Sequence, residues 1–541
     1  MPPLSRIRYW RHGAAIVAAG ALTAACTSST TEGSGGDAGA AITIGTTDQV
    51  ASLDPAGAWD AGSNTVEREV YSTLVATTYG STDVKPNLAE VKLTGPTEYT
   101  ATLKPGLTFV NGHKLTASDV KFSFDRQLGI ADENGPSTML YNLASTTVVD
   151  DATVTFTLKS ADDVLFPQVL TTAAGYIVDE EVFPADKVLD DDAIVAAKPW
   201  NGPFAMDSWA KNSLASFRAN PGYQGLYVPK AKAVTLKYYT DASNLKLDVQ
   251  QGNIDAVYRT LTIPDLQDLG TKSDVKVHTG SGNGIRYIVF NLRTQPFGSK
   301  TPDADTAKAL AVRQAAANLI DRAQLAEQVY KNTFKPLYSY VPEGITGAAE
   351  SLKPLYGNKQ GGPDAAAAKS VLQAAGITTP VALNLQYNSD HYGSSSEDEY
   401  ALVKTQLEAG GLFTVSLQSS EWASYGKERV ADQYPAYQLG WYADYLDADN
   451  YVGSFFNKGN FIANGYEDPT VIGLIAEEQT EPDAAARLQL LTRIQDEVAK
   501  QVPVLPLLQG SLAIVTRTSV QGVPEQLDSS YEFRWYTLSK S

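Results

Sequence analysis

The sequence contains very little cysteine and histidine. Among its 541 residues there are one cysteine, Cys26, and four histidines. A single cysteine excludes an internal disulfide framework. The histidines are scattered, and they form neither an HExxH pair nor a cluster with cysteine ligands. The sequence therefore predicts no metal site and no cofactor.

Basic residues are outnumbered by acidic ones. The chain has 43 Lys and Arg against 61 Asp and Glu, which gives a formal charge of −18. A nucleic-acid-binding protein needs a basic stripe to neutralise phosphates, and an anionic membrane surface would repel such a chain. We therefore expect no nucleic-acid partner and interpret the acidity as ordinary solubility. Beyond the N-terminal segment, no apolar stretch approaches the roughly 20 residues that span a bilayer.

The common catalytic motifs are also missing. We find no GxSxG elbow, Walker loop or GxGxxG motif that opens a helix. The glycine-rich segment 280–284 has the wrong spacing and is interpreted as a bend. The segment 447–458 begins like a calcium loop but lacks its sixth-position Gly and twelfth-position Glu. Paired carboxylates could still serve a glycosidase, but with so many acids close pairs arise by chance. These absences favour a binding protein over an enzyme.

The first 25 residues have the features of a lipoprotein signal peptide. Three arginines precede the short apolar run 13–25, and small residues lead into Cys26, as in a bacterial lipobox. Thr23 stands where that pattern prefers Leu, and ordinary secretion with an incidental cysteine is the alternative. We predict that Cys26 is lipidated and that it tethers the protein to the extracytoplasmic face of the bacterial cell membrane. The Ser-, Thr- and Gly-rich residues 26–41 are predicted to form a flexible tether.

The rest of the chain alternates between strand-like and helix-like patterns, which indicates an α/β fold. Period-two alternation is typical of strands, whereas capping residues followed by period-3.6 apolar faces are typical of helices. The signals are strands at 99–104, 107–110, 154–159 and 381–387, helix starts at Thr116 and Asp321, a helix at 364–376, and one apolar helical face formed by Val312, Ala316, Leu319 and Ile320.

The order of several longer motifs resembles one protein family. It is the family of large extracellular solute-binding proteins of ABC importers, in the group of oligopeptide- and dipeptide-binding proteins. The resemblance covers essentially the whole chain after the tether. The segments that carry it most clearly are SLDPAGAWDAGSNTVEREVYSTLV (52–75), YTATLKPGLTFVNGHKLTASDVKFSFDR (99–126), GWYADYLDADNYVGSFF (440–456) and VPVLPLLQGSLAIVTRTSVQGV (502–523).

This resemblance implies a two-lobed, class II periplasmic-binding-protein-like fold of the large peptide-binding type. By motif order, lobe one comprises 42–80, 203–285 and 515–541, and lobe two comprises 286–514. An additional inserted domain covers 81–202. The ligand is expected between the lobes, which close over it about a hinge where the chain crosses between them.

By resemblance, the GWxxD segment lines the cleft, and Asp444 matches the anchor for the ligand's amine. A carboxylate is the natural partner of a peptide α-ammonium, and a dry cleft strengthens the pair. Gly440 would let the backbone approach an extended peptide, and Trp441 would supply a flat wall beside Tyr442. The residues alone also fit rings packed in a lobe core with Asp444 capping a helix. Asp447 and Asp449 are expected only to begin a helix.

Two further segments are expected at the ligand by resemblance. Residues 59–62 match a ligand-flanking strand, and residues 258–259 fall where family members present polar groups to the ligand backbone. Arg259 is the candidate for the ligand's carboxylate, and a solvated surface arginine is the alternative. The ligand-binding residues predicted in these segments are Trp59, Asp60 and Ala61 in the first and Tyr258 and Arg259 in the second.

The predicted function is therefore that of a lipid-anchored substrate-binding protein of an ABC transporter. It would capture extracellular peptides as a monomer and deliver them to permease and ATPase subunits. One alternative keeps the family but changes the ligand to an oligosaccharide, an opine-like conjugate or a metal chelate. Asp444 favours an amine-bearing ligand over a sugar, and the scarcity of histidine disfavours direct nickel ligation. A lipid-anchored extracellular hydrolase and an adhesive lipoprotein are alternatives from other classes.

Overall fold

The computed structural model describes residues 41–393, 395–510, 512–523, 526–527, 529–530 and 532–541. The predicted signal peptide, Cys26 and all of the predicted tether except Ala41 lie outside the described residues. The predictions made for them stay predictions.

The described residues form 22 strands. In chain order they are β1 (Ile42–Thr46), β2 (Val75–Thr77), β3 (Val84–Pro86), β4 (Ala89–Gly95), β5 (Glu98–Leu103), β6 (Leu143–Asp150), β7 (Thr153–Leu158), β8 (Phe204–Ala210), β9 (Leu214–Ala219), β10 (Ala233–Tyr238), β11 (Ala256–Tyr258), β12 (Val275–Gly280), β13 (Ile285–Phe290), β14 (Phe334–Pro336), β15 (Val381–Asn388), β16 (Phe413–Ser420), β17 (Ala436–Trp441), β18 (Val504–Gly510), β19 (Leu512–Arg517), β20 (Val520–Gln521), β21 (Gln526–Leu527) and β22 (Ser539–Lys540).

The same residues form 14 α-helices, together with four short 3₁₀ turns. No helix in these described ranges combines the length and the apolar character needed to cross a membrane. The helices are α1 (Ala61–Val70), α2 (Ala117–Ile130), α3 (Phe166–Val169), α4 (Asp191–Ala197), α5 (Ala242–Gln251), α6 (Ile263–Leu269), α7 (Thr306–Leu319), α8 (Arg322–Gln328), α9 (Ala365–Ala374), α10 (Ser396–Glu408), α11 (Trp422–Val430), α12 (Asp449–Phe456), α13 (Pro469–Glu478) and α14 (Ala484–Gln501).

Three sheets organise the chain. A mixed eight-stranded sheet has the order β21-β12-β19-β11-β1-β10-β9-β8, and a mixed six-stranded sheet has the order β14-β18-β13-β17-β15-β16. A four-stranded antiparallel sheet, β4-β5-β7-β6, is built from a continuous part of the chain that precedes β8. Each sheet has its own buried apolar cluster, so three main cores support the structure.

The chain crosses between the two large sheets at two places. The first crossing lies between β12 and β13, and the second between β18 and β19. The crossings are neighbours, because the backbone N–H of Gly510 donates to the carbonyl of Gly284 at 2.7 Å. The side-chain amide of Gln509 also donates to the carbonyls of Ser281 and Gly282. The glycine-rich bend predicted at 280–284 is therefore part of the first crossing.

Most local predictions are confirmed. Thr116 and Asp119 form a complete capping box at the start of α2, and the side chain of Asp321 caps α8. The predicted strand 381–387 is β15, and the predicted helix 364–376 is α9 with its flanking residues. Gly376 follows this helix at φ +66°, a left-handed conformation that suits glycine.

The strand predicted at 107–110 is wrong. This segment makes only an isolated antiparallel bridge between Thr108 and Lys114. The turn at Asn111 and Gly112 brings these two residues together, and Gly112 adopts φ +98°. The alternation of apolar residues does not indicate a strand here. Leu107 and Phe109 are buried in the core beneath the four-stranded sheet, but they do not join its hydrogen-bonded ladder.

Candidate functional site

A cavity of about 400 Å³ lies where the loop after β17 faces α1 and the end of the chain. The loop contributes residues 442–446 to one wall. The opposite wall is formed by residues of α1, by residues 171–173 and Tyr176, and by Ser530, Glu532, Arg534 and Tyr536 near the end of the chain. One wall of the cavity therefore lies near the six-stranded sheet and the other lies near the eight-stranded sheet. A concave space between two such walls is where a ligand is expected to bind.

Asp444 lies on the loop wall, and Asn450 holds it in place. The backbone N–H of Asp444 donates to Oδ1 of Asn450 at 2.9 Å, and Nδ2 of Asn450 donates to Oδ2 of Asp444 at 3.3 Å. The indole N–H of Trp441 donates to the same Oδ1 at 3.0 Å. Asn450 itself is buried in the first turn of α12. One amide thus fixes the loop that begins where β17 ends.

The carboxylate of Asp444 has no basic partner in the described part of the chain. Burial raises its pKa, and the hydrogen bond from Asn450 is the only opposing effect. A carboxylate in this position has lost part of its hydration without gaining a cation. Such a group binds a cationic ligand more strongly than an exposed carboxylate would, because the local dielectric is low.

The opposite wall carries a compact charged cluster. Nη1 of Arg68, on α1, lies 2.6 Å from Oε1 of Glu532, and Nε of Arg534 lies 3.2 Å from Oε2 of the same residue. Beside them, Oε1 of Glu69 accepts a hydrogen bond from the backbone N–H of Trp535 at 3.2 Å. Burial raises the pKa of Glu69 to about 8, so its carboxyl group is largely protonated at neutral pH.

Eight aromatic side chains also line the cavity. Two of them, Tyr227 and Tyr536, stack with ring centroids 4.3 Å apart and an interplanar angle of 9°. Rings of this kind offer apolar faces and polar edges to the same ligand. The aromatic residues of the lining are Trp59, Tyr71, Tyr176, Tyr223, Tyr227, Tyr442, Tyr445 and Tyr536.

Comparison with known proteins identifies the family. The family model described as bacterial extracellular solute-binding proteins, family 5 Middle, matches residues 83–462, which is more than half of the chain. The chain belongs to this family. The family predicted from the order of the sequence motifs is therefore confirmed.

Relatives and solved structures agree with this assignment. Oligopeptide-binding protein OppA of Bacillus subtilis is 23% identical over 452 residues, covering 79% of each chain. Di/tripeptide-binding protein 1 of Pseudomonas aeruginosa is 24% identical over 500 residues, covering 86% of this chain and 88% of the relative. The structure of HbpA2 from Haemophilus parasuis superposes with a TM-score of 0.79 at 20% identity, covering 93% of this chain and all of that one. The predicted two-lobed α/β fold is confirmed by these likenesses.

Three of the residues predicted from the family resemblance line the cavity: Trp59, Tyr442 and Asp444. Two others, Gly440 and Trp441, lie behind the loop at the end of β17. A Cβ on Gly440 would come within 2.9 Å of the Tyr392 ring, so packing already requires glycine there. The Trp441 ring packs edge-on against a core phenylalanine and is only partly exposed. Their roles toward a ligand stay predictions.

The strand predicted at 59–62 is wrong, because α1 begins at Ala61. Asp60 is its N-cap: Oδ1 accepts from the Ser63 N–H at 2.9 Å and Oδ2 from the Ser63 hydroxyl at 2.6 Å. Asp60 and Ala61 are not among the residues that line the cavity. A Cβ on Gly62 would lie 2.0 Å from the carbonyl oxygen of Gln49, so only glycine fits this first turn.

Tyr258 and Arg259 lie outside the cavity lining. Tyr258 is buried at the end of β11, where its ring stacks on Phe533 at 5.3 Å. Nε of Arg259 lies 3.5 Å from Oδ2 of Asp48, and the residue lines a separate cavity of about 270 Å³. The structure therefore does not bring Arg259 to the same space as Asp444, and its role as carboxylate anchor stays a prediction.

Asp447 and Asp449 do more than begin a helix. Both oxygens of Asp447 pair with Arg487, with Nη–Oδ distances of 2.6 and 2.8 Å. Asp449 is buried in the first turn of α12, as expected, but its Oδ2 also accepts from the Tyr445 hydroxyl and its Oδ1 from Gln479. These acids fasten the cavity loop to α13 and α14, whereas Asp444 alone among the three faces the cavity.

The sequence analysis missed the residues of the opposite wall. The run Glu67, Arg68 and Glu69 was a usable signal, because three consecutive charges on a helix with buried Val66 and Val70 cannot all face water. Nothing in the local sequence around Glu532, Trp535 or Asn450 indicated that these residues contribute to the site.

Proposed function

We propose that this family 5 solute-binding protein captures short peptides in the cavity and passes them to an ABC importer. The observation that carries the proposal is Asp444. It is a largely buried carboxylate on the cavity wall whose only side-chain partner, among the described residues, is the amide of Asn450. A peptide α-ammonium supplies the missing positive charge and hydrogen-bond donors.

The size of the cavity supports a short ligand. A volume of about 400 Å³ corresponds to about 13 water molecules at ~30 Å³ each. That space suits a ligand of roughly a dozen to twenty non-hydrogen atoms, such as a di- or tripeptide with small side chains. The tyrosine-rich lining can cover apolar side chains and still offer hydroxyl groups to the peptide backbone. The relatives named as oligopeptide- and di/tripeptide-binding proteins agree with this ligand class.

The lobe boundaries proposed from the sequence are compatible with the strand arrangement. The eight-stranded sheet draws on the beginning of the chain, on 204–280 and on the part from 512 onward, and the six-stranded sheet draws on 285–510. The proposed boundary near 514 falls within β19, so a boundary at the preceding crossing agrees better with the sheets. Two neighbouring, hydrogen-bonded crossings are a suitable hinge, and ligand binding would favour closure about it.

The proposed setting is the outer face of the bacterial cell membrane. Lipid attached to Cys26 would hold the monomeric protein there, within reach of a permease that works with ATPase subunits. A binding role without catalysis is part of the proposal, and it rests on the family and on a site built from an anchor carboxylate, rings and a charged cluster.

Mass spectrometry of released ligands tests the peptide proposal. The protein is purified from cells under native conditions and weighed intact, and it is then denatured so that bound molecules are released and identified. Short peptides with a free amino terminus are the expected result. Recovery of an oligosaccharide or a metal chelate would contradict the peptide proposal. Turnover of an added peptide by the purified protein would contradict the binding role.

A further inference from the structure

The cavity loop also reaches the core of the four-stranded sheet. Tyr445, the residue after Asp444, is 8% exposed and belongs to the buried apolar cluster of that sheet. The other described members of this cluster lie between Leu74 and Ile177. The loop itself, however, follows β17 of the six-stranded sheet. One ring of the loop is thus packed into a core that is otherwise built from a distant part of the chain.

Asp449 fixes the direction of this ring. The Tyr445 hydroxyl donates to Oδ2 of Asp449 at 2.9 Å, and the side-chain amide of Gln479 donates to Oδ1 at 2.8 Å. Asp449 is 4% exposed, so both hydrogen bonds lie in a medium of low dielectric, where they are stronger than in water. A single buried carboxylate therefore positions both Tyr445, on the loop, and Gln479, directly after α13.

Gln479 makes a second contact with the same part of the chain. Its backbone carbonyl accepts a hydrogen bond from the backbone N–H of Val164 at 3.2 Å. Val164 lies two residues before α3, and α3 contributes to the same buried cluster as Tyr445. The two groups that Asp449 positions therefore reach the same small core, one through an apolar ring and the other through a peptide hydrogen bond.

A third contact lies at the surface. The hydroxyl oxygens of Thr82 and Thr346 are 2.9 Å apart. Thr82 lies just before β3, and Thr346 lies between β14 of the six-stranded sheet and α9. The side-chain amide of Gln168, on α3, donates to the carbonyl of Thr82 at 2.7 Å and holds it in place. None of these three contacts involves residues of the two chain crossings that form the proposed hinge.

Opening of the cleft would break these contacts. The four-stranded sheet lies in the chain between β1 and β8, which both belong to the eight-stranded sheet, so we expect it to move with that sheet. Separation of the two large sheets would then withdraw the Tyr445 ring and expose both the ring and the core to water. Burial of an aromatic ring is favourable, and the contact therefore stabilises the closed arrangement.

We infer that Tyr445 is a latch residue, which holds the cleft closed by packing into the core of the four-stranded sheet. Because Tyr445 directly follows Asp444, a ligand that orders the loop at Asp444 also orders the ring for packing. The effect of the latch on peptide release rests on the proposed function, whereas the latch contact itself does not. The four-stranded sheet then has a part in capture, although most of it lies away from the cavity.

An engineered disulfide can measure the contact without any ligand. The full chain with Cys26→Ser, Thr82→Cys and Thr346→Cys contains only the two introduced cysteines. The short distance between the native hydroxyl oxygens indicates that a disulfide can join the new side chains. The equilibrium of this pair with reduced and oxidised glutathione, measured by mass spectrometry, gives the effective concentration of one thiol at the other. This quantity rises with the population of the latched conformation.

Three substitutions in this parent protein test the latch. Tyr445→Ala should lower the effective concentration at least about tenfold, because it removes a buried ring from the contact. Tyr445→Phe keeps the ring and loses one hydrogen bond, so a loss of about threefold is expected. Tyr239→Ala is the matched control, since this ring packs against a separate apolar cluster on the eight-stranded sheet, and it should match the parent.

The outcomes separate the latch from the proposed function. An unchanged effective concentration in Tyr445→Ala, an equal loss in Tyr239→Ala, or failure of the parent to form the disulfide would overturn the inference. If circular dichroism shows that Tyr445→Ala does not fold, Tyr445→Leu replaces it, with a loss still expected. Trialanine should raise the effective concentration in the parent. A latch that responds to Tyr445→Ala as expected but to no peptide at millimolar concentration would support the inference and contradict the proposed peptide function.

Discussion

Replacing Asp444 by Asn should weaken peptide binding without destabilising the protein. Binding suffers because a peptide ammonium would be buried opposite a neutral amide. Truncating one side of such a pair costs about 2–5 kcal/mol, which is roughly 30- to 5,000-fold in Kd. The loss should disappear for an N-acetylated peptide, since that ligand brings no charge to the site.

The stability of the same variant should be equal to or higher than that of wild type. Burial raises the pKa of Asp444 in the folded protein, so keeping this side chain ionised at neutral pH costs folding free energy. Asn removes that cost, and its amide oxygen can still accept the hydrogen bond from Asn450. The native Asp444 is thus expected to strengthen peptide binding and to lower the stability of the folded protein.

Asp447→Asn should show the opposite behaviour. The ion pair of Asp447 with Arg487 is doubly hydrogen-bonded, and the two side chains retain only 11% and 17% of their exposure. Arg487 also contacts Glu478 at 2.8 Å, but burial raises the pKa of that carboxyl group to about 10, so it supplies little negative charge at neutral pH. The expected loss is therefore about 2–3 kcal/mol, closer to that of a buried pair than to that of an exposed one. Peptide affinity should hardly change, because Asp447 does not line the cavity.

Urea denaturation and calorimetry on the two variants measure both quantities. Stability is taken from the denaturation curves of the unliganded proteins. Affinity is taken from titrations with trialanine and N-acetyl-trialanine. The reasoning is refuted if Asp444→Asn weakens both peptides equally, or if it lowers stability as much as Asp447→Asn does. Either result would mean that Asp444 shapes the loop and does not hold an amine.

Three further outcomes are expected. Wild type produced in a bacterial host should partition into the detergent phase and Cys26→Ser into water; partition of both into water would contradict lipidation. Saturation with peptide should reduce the radius of gyration measured by small-angle scattering, and an unchanged radius would count against closure of the lobes. The contribution of Glu69 to folding stability should fall as the pH rises from about 4.3 to 8, because burial raises its pKa to about 8 and the unfolded chain releases that proton earlier. Glu69→Gln should flatten this part of the stability curve, and an unaltered slope would show that other groups cause it.

The sequence by itself determined the local elements and the family. The capping box of Thr116 and Asp119 forms as predicted, because a cap depends on side chains and N–H groups within one turn of helix. The order of motifs led to the two-lobed fold, and the resemblance of the GWxxD segment pointed to Asp444, which lines the cavity. The same local reasoning failed at 59–62, where the cap between Asp60 and Ser63 begins a helix in place of a strand.

Only the tertiary structure decided how the cavity is charged and how its loop is held. Asp447 pairs with Arg487, 40 residues away, and Glu69 meets the backbone of Trp535, 466 residues away. Nothing near these acids in the chain distinguishes Asp447, which fastens the loop, from Asp444, which faces the cavity. The physical reason is that the free energy of a carboxylate depends on its burial and on the charges that surround it. Those surroundings exist only once distant segments have packed together.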